Sequence, residues 1–193
     1  MGILKMIKNL LVTGYKSHEL GIFKENHEGI VYIKKAVEKR LLSFIDEGLK
    51  WVVISGQLGV ECWAGEVVID LKKDYPDLQL AVLLPFLEQE ANWKEERKNQ
   101  YYELLSNADF VDAISKKPYE SPKQLSMKNR YLVEKTDAIL ALYDEEKQGS
   151  PDFYIEQAKR KQSVDPSYEI HLITPYDLEV IYQEVMESKG EYW

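Results

Sequence analysis

Apolar positions along this chain alternate between two periods. Residues 9–13 form a short apolar run ending at Gly14 and predict a first strand. Ile30, Ile33, Val37, Leu41 and Phe44 then recur at spacings of three and four, one face of an amphipathic helix that stops near Gly48. Residues 51–55, β-branched and aromatic, predict strand two. Val60, Ala64, Val67, Leu71 and Tyr75 make a second helical face, ended by Pro76. Residues 78–84 predict strand three, closed by Pro85, and 93–106 a helix with Tyr101, Leu104 and Leu105 as its apolar positions. Residues 110–114, 138–143 and 168–173 predict strands four, five and six.

Three later helix starts share one device. Ser121-Pro122-Lys123-Gln124 reads as an N-cap serine, proline at the first helical position and a capping glutamine. Ser150-Pro151 repeats the first half, and Thr174-Pro175-Tyr176-Asp177 repeats the whole with aspartate. Strand and helix thus alternate along the chain. The predicted class is α/β: a single doubly wound, mostly parallel Rossmann-like sheet of about six strands with helices on both faces, one domain over residues 1–193.

In such a sheet, ligands bind beyond the carboxyl ends of the strands where strand order reverses. The loops after Thr13, Ser55, Leu84, Ile114 and Tyr143 are therefore where a site is sought. Thr13-Gly14-Tyr15-Lys16 offers a tight turn, an aromatic ring and a phosphate partner; a plain strand-to-loop turn uses the same glycine. Ser55-Gly56-Gln57-Leu58-Gly59-Val60-Glu61 places two glycines between a strand and a helix. Their N–H groups can cradle an anion at the helix N-terminus. The string is neither a dinucleotide-binding fingerprint nor a P-loop. Glu61 is the catalytic candidate. Its carboxylate either complements the helix dipole or accepts hydrogen bonds from ribose hydroxyls.

Trp63 lies off the core stripe of its helix, so it either packs on a neighbouring helix or partner subunit, or stacks on a base. Pro85-Phe86 and Trp93 follow strand three and offer the same choice. Arg130, beside Asn129, is either a solvated side chain or a fork for phosphate. Tyr143 ends strand five, and Gly149-Ser150 opens the next helix as a second phosphate seat. His18, His27 and His171 have no metal spacing, so no metal is expected. Cys62 reads as a small packed residue rather than a nucleophile.

Composition narrows the partners. Lys+Arg is 25 and Asp+Glu 33, a net charge of −8, which argues against a protein that coats nucleic acid. A single cysteine points to a reducing, cytoplasmic location. The start of the chain resembles neither a signal peptide nor a myristoylation site, and no apolar run is long enough to insert in a membrane. Aromatic residues make up 11% of the chain, and such a surface admits a homo-oligomer.

The strings Thr13-Gly14-Tyr15-Lys16, Glu19-Leu20-Gly21-Ile22-Phe23 and Ser55-Gly56-Gln57-Leu58-Gly59-Val60-Glu61 resemble the YpsA-like family of bacterial proteins. Pro85-Phe86, Asn92-Trp93-Lys94, Lys128-Asn129 and Tyr143-Asp144 with Gly149-Ser150-Pro151 extend the resemblance over almost the whole chain after residue 9. That family is grouped with the SMF/DprA–LOG (SLOG) superfamily. The resemblance implies a Rossmann-like sheet and a pocket for a nucleotide, NAD or an ADP-ribose-like ligand. It transfers a Gly-x-Glu element onto Gly59 and Glu61. The LOG enzymes carry a Pro-Gly-Gly-x-Gly-Thr loop, which the stretch from Tyr143 to Ser150 does not repeat. The DprA branch binds single-stranded DNA, which the acidic charge makes an unsuited partner here.

The expectation is a nucleotide-binding sensor whose occupancy a protein partner reads. The alternatives are a nucleotide hydrolase or N-glycosidase using Glu61, and an interaction scaffold whose pocket is vestigial.

Overall fold

The computed structural model describes residues 5–190. Six strands form one sheet: β1 (Asn9–Thr13), β2 (Trp51–Ile54), β3 (Gln79–Leu84), β4 (Phe110–Ala113), β5 (Ala138–Leu142) and β6 (Glu169–Ile173). Their order is β4-β3-β2-β1-β5-β6 and every pairing is parallel. The chain steps outward from β1 to β4, then returns to lay β5 on the other side of β1. The order therefore reverses between β1 and β5, and the crevice at their carboxyl ends is where a doubly wound sheet takes a ligand.

Among the described residues six α-helices cover the sheet: α1 (Glu28–Asp46), α2 (Val60–Leu71), α3 (Glu95–Asn107), α4 (Lys123–Glu134), α5 (Ser150–Val164) and α6 (Pro175–Ser188). Side chains alternate across a strand, so each strand feeds two cores. Leu10 and Val12 pack with α1, α2 and residues Leu104 of α3 and Ile181 and Val185 of α6. Leu11 packs on the opposite face with Leu132 and Val133 of α4 and Tyr154, Ile155 and Ala158 of α5. β1 and β5 are buried through almost their whole length because helices lie on both sides. At the edge, Phe110 and Val111 of β4 are exposed.

Three expected boundaries move. The second helix stops at Leu71 rather than running to Tyr75. Lys72, Lys73 and Asp74 offer the core nothing, and Lys72 Nζ turns aside to Asp109 at 2.6 Å. Tyr75 still packs on the core, from a turn. Trp93 lies before α3, whose first residue is Glu95. Ser150 is the first residue of α5 and Gly149 its cap; Asp152 accepts the Gly149 N–H at 2.9 Å, and the serine hydroxyl is engaged elsewhere. At Thr174 the capping reading holds; at Ser121 only its glutamine half does, because Pro122 is the cap residue of α4 and no side chain caps it. Gln124 Oε1 accepts from Ser121 N at 3.1 Å, and Asp177 Oδ2 from Thr174 N at 2.7 Å.

Candidate functional site

Three strand ends meet at the reversal point, those of β2, β1 and β5, and each donates a loop. Thr13 closes β1. Gly14 follows because an added Cβ would lie 2.7 Å from Val60, so only glycine lets β1 run this close to the start of α2. Tyr15 is buried, and its hydroxyl donates to the Lys147 carbonyl at 2.7 Å and accepts from Asp144 N at 3.1 Å. This phenol sews the loop after β1 to the loop after β5. Burial pushes its pKa up, an effect the Asp144 N–H partly offsets. Lys16 is half-exposed at the rim.

The loop after β2 is held from inside. Ser55 donates its N–H to Glu61 Oε1 at 2.6 Å, and its hydroxyl lies 2.9 and 3.1 Å from the two carboxylate oxygens. Glu61 is only 2% exposed. It thus closes the Ser55–Gly59 loop onto the first turn of α2. Gln89 Nε2 fastens the same loop through the Ser55 carbonyl at 3.1 Å. Gly59 has φ +108°, and a Cβ there would lie 2.5 Å from Ser17 N and 2.6 Å from Tyr15 O.

A buried polar chain runs beneath the crevice. Lys128 Nζ of α4 donates to the Tyr154 hydroxyl of α5 at 2.6 Å, and that hydroxyl lies 3.3 Å from Ser55 Oγ. Lys128, Tyr154, Ser55 and Glu61 are all at most 2% exposed. Burial lowers the Lys128 pKa to about 8, with the Glu61 charge opposing. Burial also pushes the Glu61 carboxyl up, against the Lys128 charge and the Ser55 bonds. Each group is therefore closer to neutral than its type, and the chain can hold or pass a proton between amine, phenol, hydroxyl and carboxyl. Two further buried atoms, Thr13 Oγ1 and Asn129 Oδ1, have no hydrogen-bond partner among the described residues.

Thr13, Gly14, Tyr15, Lys16, Ser55, Gly59, Glu61, Gly149 and Ser150 gather at the three strand ends. Tyr143 joins them, its hydroxyl on Asp152 at 2.6 Å and its pKa pushed up to about 12 by that carboxylate. Gly56 turns the loop at φ +73°, and Gln57 follows it, half-buried. Pro85, Phe86 and Trp93 sit on the β3 side. Phe86 packs on Tyr119 at 5.2 Å and Trp93 edge-on to Tyr101 at 5.0 Å. Trp63 is fully packed, in a small cavity wall shared with Tyr101 and Leu104 of α3. An off-stripe position on α2 is still interior, because α1 and α3 flank that helix. Arg130 is exposed and lines a groove between α4 and α5 with Arg160 and Lys161, away from the strand ends.

Lys128, Tyr154 and Glu19 were not singled out as site residues from the sequence. A lysine in a helix reads as a solvated face, and a tyrosine one turn into α5 reads as core. Only the crossing of α4 and α5 over β1 makes them neighbours. Cys62 is half-buried: its thiol donates to the Gly56 carbonyl at 3.5 Å, and burial, then the Glu61 and Glu66 charges, push its pKa well up.

A model of the YspA SLOG family matches residues 10–178. A UPF0398 protein of Halalkalibacterium halodurans is 59% identical over 178 residues, 92% of this chain and 94% of that protein. A UPF0398 protein of Bacillus cereus is 52% identical over 185 residues, 96% of this chain and all of that protein. Among solved structures, DNA processing protein A from Helicobacter pylori, described for its single-stranded DNA binding mode, matches with 11% identity and a TM-score of 0.49. The match covers 93% of this chain and 81% of that one. The expectation that nucleic acid is an unsuited partner does not stand. Net charge is a property of the whole molecule, whereas a nucleotide or a strand is held locally, so −8 excludes neither. The single-stranded DNA is that protein's ligand, and the likeness supplies none for this chain. Among the described residues, no helix is long and apolar enough to cross a membrane.

Proposed function

The chain belongs to the YspA SLOG family, and from that premise we propose that it is a sensor that binds a nucleotide or nucleotide-derived ligand in the crevice between β1 and β5. One observation carries this reading. At the reversal point of a parallel sheet, two glycine-bearing loops and two helix N-termini converge over a buried lysine, with the polar atoms Thr13 Oγ1 and Asn129 Oδ1 unpaired among the described residues. Backbone N–H groups at Gly56–Gly59 and Gly149–Ser150, with Lys16 and Lys128 near, supply local attraction for phosphate against the acidic surface. Glu61 acts through Ser55, fixing the loop that meets the sugar. The single cysteine and the absence of a membrane helix among the described residues agree with a cytoplasmic protein.

Isothermal titration with adenine and guanine nucleotides, NAD, ADP-ribose and a short single-stranded oligonucleotide tests the reading. Micromolar binding of a mononucleotide or dinucleotide supports it. Binding of the oligonucleotide alone, or of nothing, overturns it.

A second reading rests on the Glu61 carboxyl, buried beneath the crevice and bonded to the Ser55 N–H and hydroxyl: burial pushes its pKa up, the direction an acid–base group of a nucleotide hydrolase or N-glycosidase needs. Release of base or phosphate by the wild type, lost in Glu61→Gln at retained affinity, is the expected result for an enzyme. A ligand recovered intact from both proteins sinks it.

A further inference from the structure

Both helix N-termini that face the crevice are closed by one loop, residues 14–27 between β1 and α1. The Tyr15 carbonyl accepts the N–H of Val60, first residue of α2, at 3.2 Å. Glu19 Oε1 accepts the N–H and the hydroxyl of Ser150, first residue of α5, at 2.8 and 3.0 Å. The other Glu19 oxygen takes the Lys16 N–H at 2.6 Å. Oxygens of the chain itself thus fill the two places where an anion would sit, and one of them carries a full negative charge.

A separate observation points to a ligand in the same space. Thr13 Oγ1 is buried without a hydrogen-bond partner among the described residues. Thr13 is two residues beyond Leu11, so its side chain lies on the α5 face of β1. Tyr154 reaches from the first turns of α5 to Ser55 at the end of β2, and β1 lies between them in the sheet. The Thr13 hydroxyl is therefore directed into the space between the end of β1 and the first turns of α5. Buried hydroxyls are rarely left unpaired.

Tyr15, Ser17 and Ile22 anchor the loop in the interior, and the rest of it is fastened from outside. Gly21 turns it at φ +68° into open space. Arg97 of α3 donates to the Phe23 carbonyl at 3.2 Å and pairs with Glu25 at 2.7 Å. Phe23 itself is exposed.

We propose that Glu19 holds the place of the ligand's phosphate. A phosphate or pyrophosphate group takes over the Ser150 and Lys16 N–H donors, expels the Glu19 carboxylate and loosens the turn around Glu19 within the 14–27 loop. This rests on reading the crevice as a nucleotide site and adds how that site is regulated. Phosphate brings more charge and more acceptor oxygens than a carboxylate to the same helix terminus. Glu19 is already half-exposed, so its exit to water uncovers no buried charge. Loss of the Glu19 clasp leaves the loop held by Tyr15, by Ile22 in the core and by Arg97, and the surface between Lys16 and Gly21 changes with ligand occupancy.

The test uses inorganic pyrophosphate and ADP-ribose on the wild type, Glu19→Gln and Glu19→Ala. Affinity is read by calorimetry, and the loop by hydrogen exchange over residues 14–27. The expected result is faster exchange of the wild-type loop with pyrophosphate, and roughly tenfold tighter binding in both variants, the scale of one charge at a helix terminus. Equal affinities with unchanged loop exchange overturn the proposal and leave Glu19 a fixed cap. ADP-ribose bound by all three proteins without loop release overturns the exchange while nucleotide binding stands. No binding of either probe by any of the three ends both readings. Should the variants unfold, the wild-type exchange measurement still decides.

Discussion

The hydroxyl of Tyr154 lies 3.3 Å from Oγ of Ser55, so a helix that follows β5 touches the loop that follows β2 across the end of the intervening β1. That bridge also receives the buried ammonium of Lys128 at 2.6 Å. Four elements, β2, α2, α4 and α5, thereby share one polar chain under the crevice.

Tyr154→Phe removes the bridge and leaves the Lys128 ammonium facing an aromatic ring without its oxygen. A loss of about 1–3 kcal/mol is expected, from a buried donor deprived of its partner. For a chain of this size each kcal/mol lowers Tm by roughly 2–4 °C. Tyr168→Phe is the control. Its hydroxyl lies 3.2 Å from Thr136 Oγ1, which keeps the Leu132 carbonyl at 2.8 Å, so the loss should be smaller. Equal losses would show that the bridge has no special weight.

The Lys128 chain makes stability depend on pH. Burial lowers its pKa to about 8 in the folded protein, against about 10.4 for a free lysine. Below pH 8 both states carry the proton and the full cost of the buried charge is present. Between pH 8 and 10 the unfolded chain holds more protons, so stability rises with pH. From pH 7 to 9 the contribution of Lys128 should rise by about 1 kcal/mol. Cys62 and the buried tyrosines act in the opposite direction, because the unfolded chain gives up their protons first. Urea melts at the two pH values should therefore show it as a difference between wild type and Lys128→Met, which share those groups. The same pH dependence in both proteins would assign it to other groups.

Gly59→Ala and Gly21→Ala separate crowding from backbone strain. Both glycines have positive φ, but a Cβ at Gly59 meets Ser17 N and Tyr15 O at 2.5 and 2.6 Å, whereas nothing lies within 4 Å at Gly21. Gly21→Ala should cost about 1 kcal/mol, the strain alone. Gly59→Ala should cost at least about twice that, because backbone atoms must shift. Similar Tm values for the two variants would contradict the close packing of the two loops.

Cys62 should react slowly in the native protein. Burial, with the Glu61 and Glu66 charges adding to it, keeps the thiol protonated. At pH 8, labelling by iodoacetamide should be at least roughly tenfold slower than in urea-unfolded chain. Equal rates would place the thiol in water.

The periodicities alone determined the order of elements, the α/β class and the strand ends where loops would gather. They do so because helix and strand repeats are local, set by which side chains must face a core within a few residues. The Gly56–Gly59 string and the Gly149-Ser150 start were legible for the same reason: a turn into a helix is a local event.

What the tertiary structure decided is which loops meet. The order β4-β3-β2-β1-β5-β6 puts the ends of β2, β1 and β5 together and leaves Phe86 and Trp93 to one side. It buries Trp63 beside Tyr101 and Leu104 of α3, where a single helical stripe left it outside. It turns Lys128 and Tyr154 from ordinary helix positions into a buried pair, and seats Glu19 on Ser150, 131 residues away in sequence. These contacts follow from the packing of whole elements across the sheet. No spacing within one segment encodes them, because the partner's position is fixed only when the strand order is.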